Sequence, residues 1–379
     1  MEFALSEERQ MLADTARRYV SDRYDIATRH ANANLDNGFS RETWKELAEL
    51  GLIGALLPPD VEGYGGLGED ISVVFEALGR GLVVEPFLAT GILGASPLAI
   101  AGSASQRALL VDVMAGNTLL ALAHGEPEGR YDLAFVRTQA TREGHGWRLN
   151  GRKAVVVNGD IADRLIVSAR VDGDNGDEDG LSLFLIDAHA VGVSRRGYPS
   201  IDGGRAAEIA LANVAVSDDD IIGEAGYAYP TIEATYARGV VALCSEAVGA
   251  MDVARDITLE YLKTRKQFGR PIGAFQALQH RMVDMQIEIE QARSVVMLAA
   301  GTLEAGRAER ERNVSAAKNL VGRVGRLVSE ETIQMHGGIA MTWEYALPHY
   351  AKRLTMIDHQ LGDTDFHLER FQHFANEAA

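Results

Sequence analysis

Proline placement is what most limits the folds open to this chain. Of nine prolines in 379 residues, seven lie at or before position 230, and only Pro271 and Pro348 follow. Proline lacks the amide N–H and clashes with the preceding turn, so it breaks helix interiors. The last two-fifths of the chain are therefore free to form long helices. Apolar spacing predicts four of them, over Tyr229–Thr264, 275–305, 314–336 and 345–375. Their lengths suit an antiparallel four-helix bundle.

The rest of the chain divides in two. Residues 1–117 read as helices. Ser6 caps the first, with Glu7 and Glu8 placed to suit its dipole. Arg9 holds the third helical place, so the reciprocal capping box is absent. Ser40 opens a second helix that carries Trp44, Leu47 and Ala48 and stops at Gly51. Further helical pieces are predicted over 71–78 and 89–101. From 118 to 225 the period shortens. Strand-like runs at 119–123, 134–138, 147–149, 154–157, 165–168, 181–186 and 207–211 are punctuated by glycine, aspartate and asparagine, as in a small β-sandwich or barrel. No helix-length segment separates them, which argues against a parallel βαβ sheet. The expected fold is mostly α with a central β domain: helical 1–117, β 118–225, four-helix bundle 226–379.

Charge narrows the partners. Thirty-seven basic against 54 acidic residues give a net −17. That excludes nucleic acid and anionic membrane surfaces, which demand a basic face. Cys244 is the only cysteine. It sits in an apolar helical run, as a small buried hydrophobe rather than a nucleophile. The first eight residues lack the basic and apolar regions of a signal peptide. No apolar run reaches the ~18 residues of a membrane span. A cytoplasmic location is expected.

Several patterns carry less than they suggest. Gly63-Tyr64-Gly65-Gly66-Leu67-Gly68 matches GxGxxG, but Leu57-Pro58-Pro59-Asp60 before it is a turn and not the strand a dinucleotide fingerprint needs. A glycine-rich turn between helices fits better. The acidic stretch from Asp172 to Gly180 resembles a calcium loop, yet the twelfth place from Asp172 holds Leu183 instead of glutamate. It reads as a solvated hairpin loop. The histidines show no metal spacing, and His30 and His373 read as surface residues.

Two motifs in the bundle region carry chemistry. Arg265-Lys266-Gln267-Phe268-Gly269-Arg270-Pro271-Ile272-Gly273, followed by Phe275-Gln276-Ala277-Leu278-Gln279, joins the first two helices. Arginine can pair with a pyrophosphate, and phenylalanine can pack on a flat ring. A plain helix–helix turn explains the Gly and Pro, but not Arg, Gln and Phe together. Gln334-Met335-His336-Gly337-Gly338 ends a long helix. Its paired glycines admit a close ligand, or form a simple C-cap.

Together these motifs resemble the acyl-CoA dehydrogenase family of flavoproteins, over the whole chain. The segment from Leu57 to Gly68 resembles the family's N-terminal glycine-rich turn. Leu149-Asn150-Gly151-Arg152-Lys153 with Asn158-Gly159 is similar to its middle-domain signature. The resemblance implies FAD bound noncovalently at a subunit interface. Arg265, Gln267, Phe268 and Gln276 would hold the adenosine-diphosphate half of an FAD seated in the neighbouring subunit, and Gln334, Gly337 and Gly338 would complete that site. Thr364 and Asp365 fall where the family contacts the cofactor. The implied reaction is α,β-dehydrogenation of an acyl-CoA thioester: a carboxylate removes the α-proton, a β-hydride passes to flavin N5, and hydrogen bonds stabilise the enolate-like charge. An electron-transfer flavoprotein is the implied acceptor.

The sequence departs from the family at the base. The usual glutamate's place holds Gly362, in Gln360-Leu361-Gly362-Asp363-Thr364-Asp365. The alternative place, near Gly239, is also empty. Asp363 and Glu246 remain as displaced candidates for the base. For both, the plain alternative is a solvated carboxylate on a helix surface. Arg238 is a candidate substrate contact, or an ordinary surface arginine at a helix start. The family's Thr-Glu-Pro loop appears as Gly125-Glu126-Pro127, followed by Glu128-Gly129-Arg130-Tyr131-Asp132, and the Trp-x-Thr beside the flavin ring as Val155-Val156-Val157. These departures resemble the small subunit of pimeloyl-CoA dehydrogenase type. Arg130-Tyr131-Asp132-Leu133, Arg195-Arg196-Gly197-Tyr198-Pro199 and Leu361-Gly362-Asp363-Thr364-Asp365 carry that likeness. The family implies a homodimer or homotetramer, and this branch a heterotetramer with a homologous large subunit. Two other readings stay open: a non-catalytic FAD-binding partner, or a flavin- or CoA-binding protein without redox activity.

Overall fold

A computed structural model describes residues 5–377; the first four, part of the segment read for a signal peptide, lie outside it. Six helices come first: α1 (Glu7–Arg23), α2 (Ile26–Ala33), α3 (Arg41–Glu49), α4 (Gly68–Gly81), α5 (Ala95–Ala101) and α6 (Ala104–Met114). Ser6 and Ser40 cap α1 and α3 by accepting the N–H groups of Arg9 and Thr43. Gly51, just beyond α3, takes φ +80°. The 89–101 piece is a π-helical stretch over Phe87–Gly94 that runs into α5. Helices α2 and α6 lie outside the helical pieces expected from the sequence.

The middle of the chain is a mixed sheet. Its strands are β1 (Leu120–Ala123), β2 (Gln139–Glu143), β3 (Gly146–Val157), β4 (Arg164–Arg170), β5 (Leu181–Asp187), β6 (Val193–Pro199), β7 (Arg205–Ser217) and β8 (Ile221–Ile222). The order is β6-β7-β3-β2-β4-β5-β8, with β1 parallel to β4. The halves join on this path through one pair, Gln139 with Arg170. Buried residues from both halves, among them Leu149, Val156, Leu165, Phe184 and Ile209, share one apolar core. The arrangement is sandwich-like.

Two strand expectations need correction. The 134–138 run is not a strand. The buried Arg170 guanidinium takes the carbonyls of Ala134 and Val136, and the Glu126 carboxylate takes the N–H groups of Arg137 and Thr138. Those side chains replace a ladder. The runs at 147–149 and 154–157 are one strand, β3, with two register shifts against β7.

The C-terminal helices are α7 (Tyr229–Thr264), α8 (Gln276–Gly301), α9 (Arg307–His336), α10 (Leu347–His359) and α11 (Thr364–Glu377). A short hairpin, β9 (Lys266–Gln267) with β10 (Arg270–Pro271), joins α7 to α8. Helix α9 packs on α8, α10 and α11. The fourth expected helix is thus two. Leu361 and Gly362 adopt φ +56° and +107° and break it, since positive φ cannot continue a right-handed helix.

The chain divides into two compact units. One holds the residues before Asn32, Leu67–Val83 and everything from Val240; the other holds Asn32–Gly66 and Val84–Gly239. In the first, α1 packs on α4, and Arg9, which left the capping box unmade, pairs with Asp70 at 2.7 Å. In the second, Trp44 is fully buried with its ring edge-on to Phe87. No described helix is long and apolar enough to cross a membrane.

Candidate functional site

The Arg265 motif forms a projecting hairpin. The Arg265 N–H bonds the Tyr261 carbonyl in the last turn of α7, and the Arg265 carbonyl accepts from Ile272 at 2.8 Å. Phe268 and Gly269 both take positive φ, +53° and +79°. A two-residue reversal of this kind matches strand twist but favours Asn-Gly over a bulky first residue. Phe268 nevertheless occupies the tip, 90% exposed, with its ring edge-on to Phe275. Arg270 lies over the Phe275 ring, 4.1 Å from its centroid. The side chains of Arg265, Gln267 and Gln276 are exposed and have no partner among the described residues.

The second motif closes α9. Gly337 adopts φ +68°, ψ −145°, a conformation essentially restricted to glycine. Its N–H caps the helix on Ile333, so the C-cap reading holds. A Cβ built on Gly337 or Gly338 would meet nothing within 4 Å. Crowding inside the chain therefore does not explain the pair. Gln334 is exposed beside them. His336 is buried and stacks on Tyr261, with ring centroids 4.4 Å apart. The structure thus brings the two motifs to one end of the bundle. Sequence reading missed this link, although Tyr261 stands one helical turn before Arg265.

The α10–α11 elbow occupies the expected place of the base. Lys318 of α9, fully buried, donates to the carbonyls of Asp358 and Gly362 at 2.9 and 2.5 Å. Burial lowers its pKa. His367 donates from Nε2 to the Leu361 carbonyl at 2.9 Å and bonds Ser315 through Nδ1 at 3.3 Å. Burial first, then the Lys318 charge, lowers His367 to about 3. A Cβ on Gly362 would fall 2.5 Å from His367 Nε2 and from Phe366 Cδ1. Asp363 accepts the Phe366 N–H at 2.9 Å, as a cap for α11. Thr364 donates its hydroxyl to Asp358 at 2.7 Å, and Asp365 is exposed.

Glu246 is not a solvated surface carboxylate. It is 6% exposed and paired with Arg353 of α10 through both oxygens, at 2.5 and 2.7 Å. Arg353 also donates to Gln360 at 3.0 Å. Arg238 is neither at a helix start nor on an open surface. It lies in the third turn of α7, half-buried, and donates to the Gly66 carbonyl at 2.5 Å. It therefore clamps the glycine-rich turn, where Gly66 takes φ +87°. His30 is likewise half-buried. It stacks on Trp343 and meets His349 edge-on, while His373 is exposed as expected.

In the β unit, the loop matching Thr-Glu-Pro is built around a buried ion pair. Lys153 Nζ lies 2.8 Å from Glu126 and 2.9 Å from Ser168. Burial lowers Lys153 to about 8. Burial also opposes ionisation of Glu126, but the Lys153 charge and hydrogen bonds outweigh it and leave its pKa lowered. His124, bonded to Ser168, is held near 3 by burial and the Lys153 charge. Val155, which the resemblance sets at the family's tryptophan, is 64% exposed at φ +53°. That is a strained state for a β-branched residue. Cys244 is buried, and burial pushes its thiol to about 12, which makes it inert. No cluster among the described residues can hold a metal ion.

Comparison with known proteins bears on the family and the fold. Residues 6–117, 121–214 and 225–374 match the family descriptions "Acyl-CoA dehydrogenase, N-terminal domain", "middle domain" and "C-terminal domain". The acyl-CoA dehydrogenase IpdE2 of Mycobacterium tuberculosis is 31% identical over 348 residues, covering 92% of this chain and 91% of its own. Butyryl-CoA dehydrogenase from Megasphaera elsdenii is 25% identical with a TM-score of 0.91, covering 99% of this chain and all of its own. The ChsE4–ChsE5 complex from Mycobacterium tuberculosis gives 25% identity and a TM-score of 0.89, covering 100% and 99%.

Proposed function

Because the chain belongs to the acyl-CoA dehydrogenase family, we propose that it seats the adenosine-diphosphate half of FAD on the motif-bearing end of its bundle and works as a base-free small subunit of pimeloyl-CoA dehydrogenase type. The activity class is that of the family: an oxidoreductase that desaturates acyl-CoA thioesters. Bound there, FAD would supply the redox chemistry, as a hydride acceptor.

The residues present fit that group. Arg265 is free to pair with the pyrophosphate. Gln267, Gln276 and Gln334 offer unengaged amides, and the exposed Phe268 ring offers a face to adenine. At Gly337 and Gly338 a ligand can approach the backbone itself. Thr364 and Asp365 sit at the start of α11, where the resemblance places a further contact. FAD bound in this way spans two chains, so an oligomer follows. An electron-transfer flavoprotein is the proposed electron acceptor.

One observation carries the subunit reading. The elbow holds no carboxylate at 362 and has no room for one, while Glu246 is committed to Arg353 and Asp363 to its cap. The proton acceptor then comes from a homologous large subunit. The test is anaerobic titration of the purified chain with a panel of acyl-CoA thioesters, alone and co-expressed with a homologue that carries the glutamate. Flavin absorbance bleaches only in the mixture. Bleaching by the chain alone overturns the subunit reading, and purification without flavin in either form overturns the FAD reading.

A further inference from the structure

The trio Tyr261, His336 and Tyr345, a buried histidine between two half-buried tyrosines, has no assigned part in the family chemistry, and its geometry is closely defined. His336 Nδ1 lies 2.8 Å from the Thr332 carbonyl, and Nε2 lies 3.1 Å from the Tyr345 hydroxyl. A carbonyl can only accept, so Nδ1 carries the proton. Nε2 of the neutral ring must then accept from Tyr345. Burial lowers the His336 pKa, in the direction that favours the neutral ring these two contacts call for. The imidazole plane lies against Tyr261, with an interplanar angle of 26°. Its orientation is thus fixed by two hydrogen bonds and a stack.

Two members of this trio reach a ligand-facing residue through the backbone. His336 is joined directly to Gly337, whose glycine-restricted positive-φ conformation starts the open glycine pair. Tyr261 gives its carbonyl to the Arg265 N–H at 2.8 Å, so the base of the Arg265 hairpin hangs from the residue under the His336 ring. We propose that His336, held between Tyr261 and Tyr345, is a positioning residue. It sets the distance between the arginine hairpin and the paired glycines, and so pre-forms the cradle for a dinucleotide's diphosphate. The cost of arranging two separate motifs is met on folding and not on binding. This inference rests on the reading that the bundle end binds FAD.

The test uses the full chain stripped of flavin and titrated with FAD, with ADP as a competitor. Tyr345→Phe removes one oxygen and one hydrogen bond, and weakens FAD about fivefold. His336→Ala removes both bonds and the stack, and weakens it on the order of twentyfold. ADP competition weakens by the same factors, because the cradle serves the half that ADP shares with FAD. Ile289→Val, a buried change in α8, lowers the melting temperature without moving either constant. Lowered melting temperatures with unchanged FAD and ADP constants for Tyr345→Phe and His336→Ala mean a purely structural trio, and overturn the proposal. An unsubstituted chain that binds neither FAD nor ADP overturns the FAD reading itself, and this inference with it.

Discussion

Substituting Gly362 by alanine tests whether the elbow demands glycine or merely tolerates it. The residue has φ +107°, where an L side chain costs about 1–3 kcal/mol in backbone strain. The new Cβ would lie 2.5 Å from His367 Nε2 and 2.8 Å from Cδ2. The ring is held at both nitrogens and must move, forfeiting the Leu361 carbonyl bond at about 1 kcal/mol. Lost unfolded-state freedom returns about 0.5–1 kcal/mol. The net expectation is a destabilisation of about 1–3.5 kcal/mol, read as a shift of the urea midpoint at unchanged slope. In a double-mutant cycle, His367→Ala relieves the overlap with the imidazole but not that with Phe366, so the two changes together cost less than their sum. A Gly362→Ala variant within about 0.5 kcal/mol of the parent would refute the reasoning. The functional companion is Gly362→Glu, which fails to make the chain self-sufficient in the bleaching assay.

Two further outcomes are expected. Glu246→Gln removes the carboxylate charge from the part-buried pair with Arg353, which keeps its bond to Gln360, and lowers stability by about 1.5–3 kcal/mol in equilibrium unfolding. A loss below about 1 kcal/mol would show that the pair is relaxed in solution. His124 and His367 are both held near 3 against an ordinary 6.5. Between those values the unfolded chain binds protons that the folded chain does not. Stability therefore falls as pH drops below 6.5, by up to about 1.4 kcal/mol per pH unit for each histidine. His367→Asn should remove one proton's worth of that slope between pH 6.5 and 5, and an unchanged slope would assign the titration elsewhere.

The proline gap and the change of period exposed the helical, β, helical order, because both are local signals. Ser6, Ser40 and Gly51 marked helix ends for the same reason. What sequence could not expose depends on side chains that act over long separations. Glu126 and Arg170 pull the 134–138 run out of the sheet. Lys318 and His367, 44 and five residues from Gly362, fold the last helix back on itself. Arg353 takes Glu246 from 107 residues away. At the candidate site, the Arg265 and Gln334 motifs were legible as residue types. Their meeting through Tyr261 and His336 was not, since a stack between two helix ends leaves no pattern in either helix.

Arg170 gives the acidic hairpin loop a character its composition hides. Buried at the end of β4, its guanidinium reaches the carbonyls of Ala134, Val136, Asp172, Asn175, Asp177 and Asp179. The most hydrophilic stretch of the chain is thereby wound about a single internal cation, much as a strap is wound about a post. Its length is counted out by that post. An added or deleted residue between Asp172 and Asp179 would leave carbonyls facing past their donor. A protease that cuts at flexible acidic segments would have to unwind several carbonyls together before reaching one bond. The segment that reads as the chain's best insertion point is among its worst.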